Sequence, residues 1–397
     1  MWNSRDSKLC VVCDVGSATV SAGLVLFVRD TKPTVLWTTK VPFSIAEKPN
    51  QNHLEGIMFE LLEQTFSLVV EKGLPEIHKQ GIQKRLDEVF VTLASPWFIG
   101  KASTVKISKD EPFILDEKII ADAISDEEKK FEADAVKGLY DQVRGQDIRM
   151  IEREMVRVLL NGYETKNPYD KLATIAEVSL YMSIIPERIL SGLQKLVRDH
   201  LPLDQVTLHT FPLTFFAAVT NLFPHSNDYM LIDVAGESTD MSLVRDGTII
   251  ETTSFPVGRN ALLRSFMSEL SVTEEIAFSY LHLGLTQNAE AGHMAEIQTV
   301  MSDHALLWSD EVRKVLTLFS KTGSPPHACF MVSDDEVSAF YSDLVKKIGE
   351  ENTITHIVPI TAEILSNQVV YSKGITNDSF ISLEALHLHF HTFASQN

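Results

Sequence analysis

Apolar residues in this chain come in short runs that stop at an aspartate. "KLCVVCDVGSATVSAGLVLF", Lys8 to Phe27, reaches Asp14, turns through a glycine and small hydroxyl residues, and resumes as "VSAGLVLF". A third strand, "TVLWTTKVPF", follows, and "GIMFELLEQTFSLVVEKGL" then spaces its apolar residues as an amphipathic helix. "LIDVAGESTDMSLVRDGTI", Leu231 to Ile249, repeats the first design. A buried strand breaks at Ala235-Gly236, adds Glu-Ser-Thr-Asp, and resumes as an alternating strand ending at Asp246-Gly247. Two halves thus begin with strand, polar Asp-containing turn and strand, an internal repeat about 220 residues apart.

Between the halves the pattern changes. "DEVFVTLASPWFIGKASTVKIS" reads as two strands and "LDEKIIADAISDEEKKFEADAVKG" as a charged helix. "IEREMVRVLLNGYETKNPYDKLATIAEVSLYMSII" reads as two more strands around an Asn-Gly and an Asn-Pro turn. Residues 86–176 are therefore expected to form an inserted α+β subdomain. It interrupts a first domain made of 1–85 and 177–205; a second domain spans 206–380 and a C-terminal segment 381–397. In the second half, "GRNALLRSFMSEL" and the stretch from Thr273 to Lys321 read as helical. "ACFMVS", "DEVSAFYSDLVKKIG" and "THIVPI" read as strand, helix and strand.

The 397 residues suffice for two or more cores, and a formal net charge of -19 argues against nucleic acid or anionic lipid as a partner, since both need clustered Lys and Arg. No signal-peptide core and no run of about 18 apolar residues is present, which points to a cytoplasmic protein. Cys10 and Cys13 have C-x-x-C spacing, but at i and i+3 on a strand they face opposite sides and cannot share a metal.

The paired turns have the chemistry of a phosphate clamp. Glycine lets backbone approach, small hydroxyls donate, and a nearby aspartate can hold hydrated Mg²⁺. "DVGSAT" supplies Asp14, Gly16, Ser17 and Thr19; "DVAGEST" supplies Asp233, Gly236, Ser238 and Thr239. If the halves face each other, two hairpins grip one polyphosphate and the aspartates share its metal.

These motifs resemble the first and second phosphate motifs of the actin-like ATPase superfamily, and the inserted segment resembles that of its FtsA and PilM group. The resemblance implies a duplicated actin-like (ribonuclease H-like) α/β fold, with two domains around a nucleotide cleft and an inserted SHS2-type α+β subdomain. It further implies ATP as ligand, with Asp14 and Asp233 ordering the waters of Mg²⁺ and Gly16, Ser17, Gly236, Ser238 and Thr239 cradling phosphate. The expected partners are divisome or pilus-platform proteins, including a cytoplasmic tail peptide, together with self-association. A membrane would be reached only through a partner.

Several positions depart from that group. The adenosine motif should be a strand ending in glycines, but "ACFMVSDDEVSAFYSDL" places Ser333, Asp334 and Asp335 there. Those side chains crowd a nucleotide, the carboxylates repel its phosphates, and Ser333 with Glu336 fits a capping box. Thr19 stands where several relatives carry lysine, and Ala235 replaces a glycine. No catalytic base is identifiable.

"EALHLHFHTFASQN" alternates His387, His389 and His391; a strand would put them on one face, a helix would not. No Lys or Arg follows Lys373, so a basic membrane-binding helix is not expected. "SDEEKKFEADAVKG" reads as a solvated helix face or a recruitment surface. Trp97 and Phe98 read as core or as the anchor of a partner groove. The leading reading is an FtsA-like scaffold of bacterial cell division with a weakened ATP cleft. The alternative is a PilM-like adaptor of a type IV pilus or secretion platform, and a further one is an ATP-dependent kinase of the same superfamily.

Overall fold

The computed structural model describes residues 7–45, 51–137, 146–287, 291–352 and 354–394; the parts of the expected segments in 1–6, 138–145 and 395–397 lie outside these. The first meander is β1 (Ser7–Val15), β2 (Thr19–Val28) and β3 (Thr34–Pro42), joined antiparallel with Asp14 opposite Ser21. Strict alternation sends Leu9, Val11, Cys13 and Val15 to one face of the sheet and Cys10 and Val12 to the other. The two cysteines therefore face apart, as expected, and burial pushes both thiols up and keeps them inert.

Helix α1 (Gln51–Leu68) continues through a π-helical turn, Val69–Gly73, into α2 (Leu74–Lys79). Strand β4 (Glu88–Leu93) then pairs parallel with β1. The separate antiparallel sheet contains β5 (Ile99–Leu115), β6 (Ile148–Leu160), β7 (Tyr163–Glu164) and β8 (Lys171–Pro186) in the order β5-β8-β6-β7, with α3 (Glu117–Val136) packed on it. It thus runs from Ile99 to Pro186, while Glu88–Leu93, within the segment read as the insertion, pairs in the first sheet. Apolar alternation alone cannot say which of two sheets a strand joins. Asn161 and Gly162, at φ 52° and 84°, form the tight turn between β6 and β7.

The chain returns through α4 (Glu187–His200), β9 (Thr207–Thr210) and α5 (Phe211–Leu222). The second meander is β10 (Tyr229–Val234), β11 (Thr239–Arg245) and β12 (Thr248–Phe255), followed by α6 (Arg259–Glu269), α7 (Glu274–Thr286) and α8 (Ala291–Phe319). Then come β13 (Ala328–Ser333), α9 (Asp335–Asn352), β14 (His356–Pro359), α10 (Ala362–Leu365), β15 (Val370–Tyr371) and α11 (Ser379–Ala394).

The two main sheets share one plan. The first is ordered β15-β3-β2-β1-β4-β9 and the second β12-β11-β10-β13-β14, and in each a three-strand meander is extended by parallel strands from its first member. This is the duplication the paired turns predicted. One face of the first sheet packs on α1 and α4 and one face of the second on α6 to α9; a shared core containing Phe211, Phe215, Phe330, Ile381 and Leu386 joins the remaining faces through α5 and α11. Helix α11 is therefore a core helix.

Candidate cleft between the two hairpins

The tips of the two meanders meet. In the first, Gly16 N donates to Thr19 O at 3.1 Å, Trp97 Nε1 donates to Gly16 O at 2.8 Å, and Phe43 N donates to Ala18 O at 2.8 Å. Trp97 is fully buried behind the turn, stacked on Phe43, so it belongs to the core. In the second, Ala235 N donates to Ser238 O at 3.0 Å. The first amides of α6, Arg259 N and Asn260 N, donate to Ala235 O and Gly236 O at 3.0 and 2.8 Å, so the hairpin carbonyls satisfy a helix N-terminus.

Across the cleft, Glu237 N donates to Ser17 Oγ at 2.9 Å, and a Cβ on Gly236 would lie 2.5 Å from Ala18 Cβ and 2.7 Å from its backbone nitrogen. No side chain fits at Gly236 unless one hairpin moves. Gly236→Ala is expected to cost about 1–3 kcal/mol as overpacking, and to raise the radius of gyration, checked by urea unfolding and small-angle scattering. An unchanged midpoint would show that the tips do not touch in solution.

The hydroxyls of Ser238 and Thr239 are turned to the protein. Thr239, fully buried, donates to Val257 O at 2.7 Å and accepts from Trp308 Nε1 at 2.9 Å. Ser238 Oγ donates to Ser95 O at 3.3 Å, and Ser95 Oγ donates to Asp240 Oδ1 at 2.7 Å. Thr19 is partly exposed and holds its own turn through its carbonyl.

Asp14 and Asp233 lie beneath the tips at 4% and 3% exposure, with Asp14 Oδ1 and both Asp233 oxygens lacking a hydrogen-bond partner. Burial, then the charge of Asp378, pushes Asp14 up to about 8 against the pull of Lys40. Burial, then Asp240 and Asp14, pushes Asp233 well above the carboxylate range. Asp240 is pushed up to about 6 by burial, with Ser95 opposing. Sequence reading missed a further member: Glu384, fully buried on α11, is driven well up by burial, then by Asp14 and Asp378. Its only signal was one acid in the apolar stretch "FISLEALHLHF".

On the far wall, β13 runs through Ser333 and α9 starts at Asp335, so the cap position falls on Asp334, Val337 stands three residues on, and the expected capping box of Ser333 with Glu336 does not form. Ser333 Oγ donates to Asp334 O at 3.2 Å, and Glu336 lies 3.7 Å from His282 Nδ1. The Asp334 carboxylate accepts Lys40 Nζ at 3.0 Å and Arg259 Nη1 at 2.5 Å. Burial works to raise its pKa, but Arg259 and then Lys40 hold it below the ordinary value. A cavity of about 280 Å³ opens here, lined by Lys40, Arg259, Asp334, Asp335, Glu336 and Asp378 among others. With the tips in contact, the hydroxyls of Ser17, Ser238 and Thr239 hydrogen-bonded within the protein and both cations held by Asp334, the residues as arranged do not fit ATP with Mg²⁺. Among the described residues, no group of three His, Cys, Asp or Glu side chains is placed to hold a metal ion.

The histidines sit on a helix, so His387 and His391 share a face and His389 points away from it. His387 is buried against His209, ring centroids 4.9 Å apart, and near His391 at 5.9 Å, whereas His389 lies beside Phe390. Burial, then His209 and His391, pushes His387 down to about 3.

The duplicated sheets, the facing hairpins and the inserted sheet together define the actin-like ATPase fold. Over 96% of this chain and 98% of the other, the protein is similar to a solved PilM-PilN type IV pilus biogenesis complex, at 12% identity and a TM-score of 0.63. A looser likeness, at 11% identity and a TM-score of 0.47, is to the ethanolamine utilization protein EutJ from Carboxydothermus hydrogenoformans, covering 96% of this chain and 89% of that one. Neither a protein-family model nor a curated protein matches the chain.

Proposed function

We propose that the protein is a PilM-like adaptor of a type IV pilus or secretion assembly platform, working in the cytoplasm through protein contacts rather than through turnover of ATP. The observation that carries this reading is the closed cleft: Ser17, Ser238 and Thr239, which would cradle phosphate, hydrogen-bond to other groups of the protein, which leaves the surfaces to do the work. The likeness to PilM over nearly the full length supports it, and that protein's solved complex is with PilN, a protein partner.

A division scaffold of the FtsA kind remains the second reading. No observation of the fold favours it over the adaptor, and the likeness to PilM is what ranks it second. No helix among the described residues is long and apolar enough to cross a membrane, and in this proposal contact with it goes through a partner's cytoplasmic tail. The four-stranded sheet would be the SHS2-type subdomain, and Asp14 and Asp233 would serve the cleft as protonated structural carboxyls.

Deletion of the gene in its host separates the readings. The expected result is loss of surface pili or of secretion with normal cell length, and recovery of a single-pass membrane protein with the tagged chain. Filamentous cells with intact pili would sink the adaptor reading in favour of division.

A further inference from the structure

We infer that this cleft is held shut by the protein's own side chains, with the Asp334 carboxylate as a built-in anion in place of a phosphate, so that closure does not wait for a nucleotide. Arg259, at the start of α6, pins Asp334 from its own lobe, and Lys40, on β3 of the first sheet, reaches it from the opposite lobe. Asp378, which precedes α11, stands 3.7 Å from Lys40 and draws the C-terminal segment into the same group. Two neighbouring bonds also cross between lobes: Ser379 Oγ to Asp335 Oδ1 at 3.3 Å and Ser95 Oγ to Asp240 Oδ1 at 2.7 Å.

The charge balance explains why the anion must be internal. The cavity presents two cations, Lys40 and Arg259, against four carboxylates, Asp334, Asp335, Glu336 and Asp378. A free polyphosphate entering this field meets net repulsion, whereas Asp334 arrives tethered and places one carboxylate between both cations. Its depressed pKa agrees with that role. The inference concerns cleft motion alone and stands whether the surface partner belongs to a pilus or to a division machine.

Amide hydrogen exchange on the full chain tests it, with wild type, Asp334→Asn, Lys40→Met and the exposed-pair control Lys314→Gln, whose partner Glu311 lies on α8. Peptides covering residues 14–19 and 233–239 are expected to exchange about tenfold faster or more in the first two variants, by local opening, and at the wild-type rate in the control. Raising salt from about 0.05 to about 0.5 M should speed wild type toward the variants, since these ion pairs are partly exposed. Adding ATP with Mg²⁺ at about 1 mM should leave wild-type exchange unchanged. Equal exchange in wild type and both variants overturns the inference, as does protection of the wild-type hairpins by ATP. Lys40→Met approaches from the other lobe, so a folding failure of Asp334→Asn leaves the test in force. The deletion phenotype tests the adaptor reading separately.

Discussion

Replacing Arg264 by methionine is expected to cost about 3–5 kcal/mol of stability, the usual penalty for orphaning a buried charge. Arg264 grips Glu237 with two parallel bonds, Nη1 to Oε1 at 2.9 Å and Nη2 to Oε2 at 2.8 Å, and Asn260 Nδ2 adds a third at 2.8 Å. Glu237 is 9% exposed, so loss of the guanidinium leaves its carboxylate poorly solvated. The cost should reach the cleft as well, because Glu237 is the residue whose amide bonds Ser17 on the opposite hairpin. Urea unfolding gives the loss directly. The double variant Glu237→Leu with Arg264→Met should recover most of it, since an apolar pair of similar volume removes the stranded charge along with its partner. If the single variant lost less than about 1 kcal/mol, the typical worth of an exposed pair, the geometry drawn for Glu237 would be wrong.

Asp14→Asn should stabilise the protein at pH 8 while leaving it unchanged near pH 4. A carboxyl whose folded pKa lies above its unfolded value costs nothing below the unfolded value, where both states keep the proton. As pH rises toward the folded value, the unfolded chain releases its proton and the folded chain cannot, so stability is lost across that interval. For Asp14 the interval runs from the ordinary 3.8 up to about 8, and Asp233 and Glu384 are shifted in the same direction. At about 1.4 kcal/mol for each pKa unit, the share carried by Asp14 amounts to a few kcal/mol at pH 8. Melting temperatures of wild type and variant from pH 4 to 8 should diverge steadily, the variant's profile being the flatter. Parallel profiles would mean that Asp14 is charged and solvated in the folded protein, as a carboxylate ordering metal waters would be.

Much of the architecture was legible because it is written in local periodicity. The uninterrupted apolar run in "KLCVVCDV" reads as a strand, and the structure divides its residues between two cores. The recurrence of strand, Asp-containing turn and strand predicts two sheets of one plan, which the strand orders confirm. Membership of sheets was less legible: Glu88–Leu93, read within the insertion, pairs with β1, and Val370–Tyr371, read within the second domain, pairs with β3. A strand's own pattern states which residues are buried and leaves its neighbour open.

At the site the same division holds. Asp14, Gly16, Ser17, Asp233, Gly236 and Ser238 were recognisable because a polar, glycine-bearing tip between apolar strands is locally unusual. What only the tertiary structure decided was the state of those groups. Ser17 accepts an amide 220 positions away, Thr239 turns from the cleft to Trp308, and Lys40 meets Asp334 across 294 positions. Glu384 came to Asp14 on a helix that the sequence marked only as a C-terminal segment. The sequence by itself determined two matching halves with acids at their turns, since hydrophobic period and turn chemistry act over a few residues. The tertiary structure determined that the halves close on each other and on their own carboxylate, because Coulomb and hydrogen-bond energies depend on distances that only packing sets.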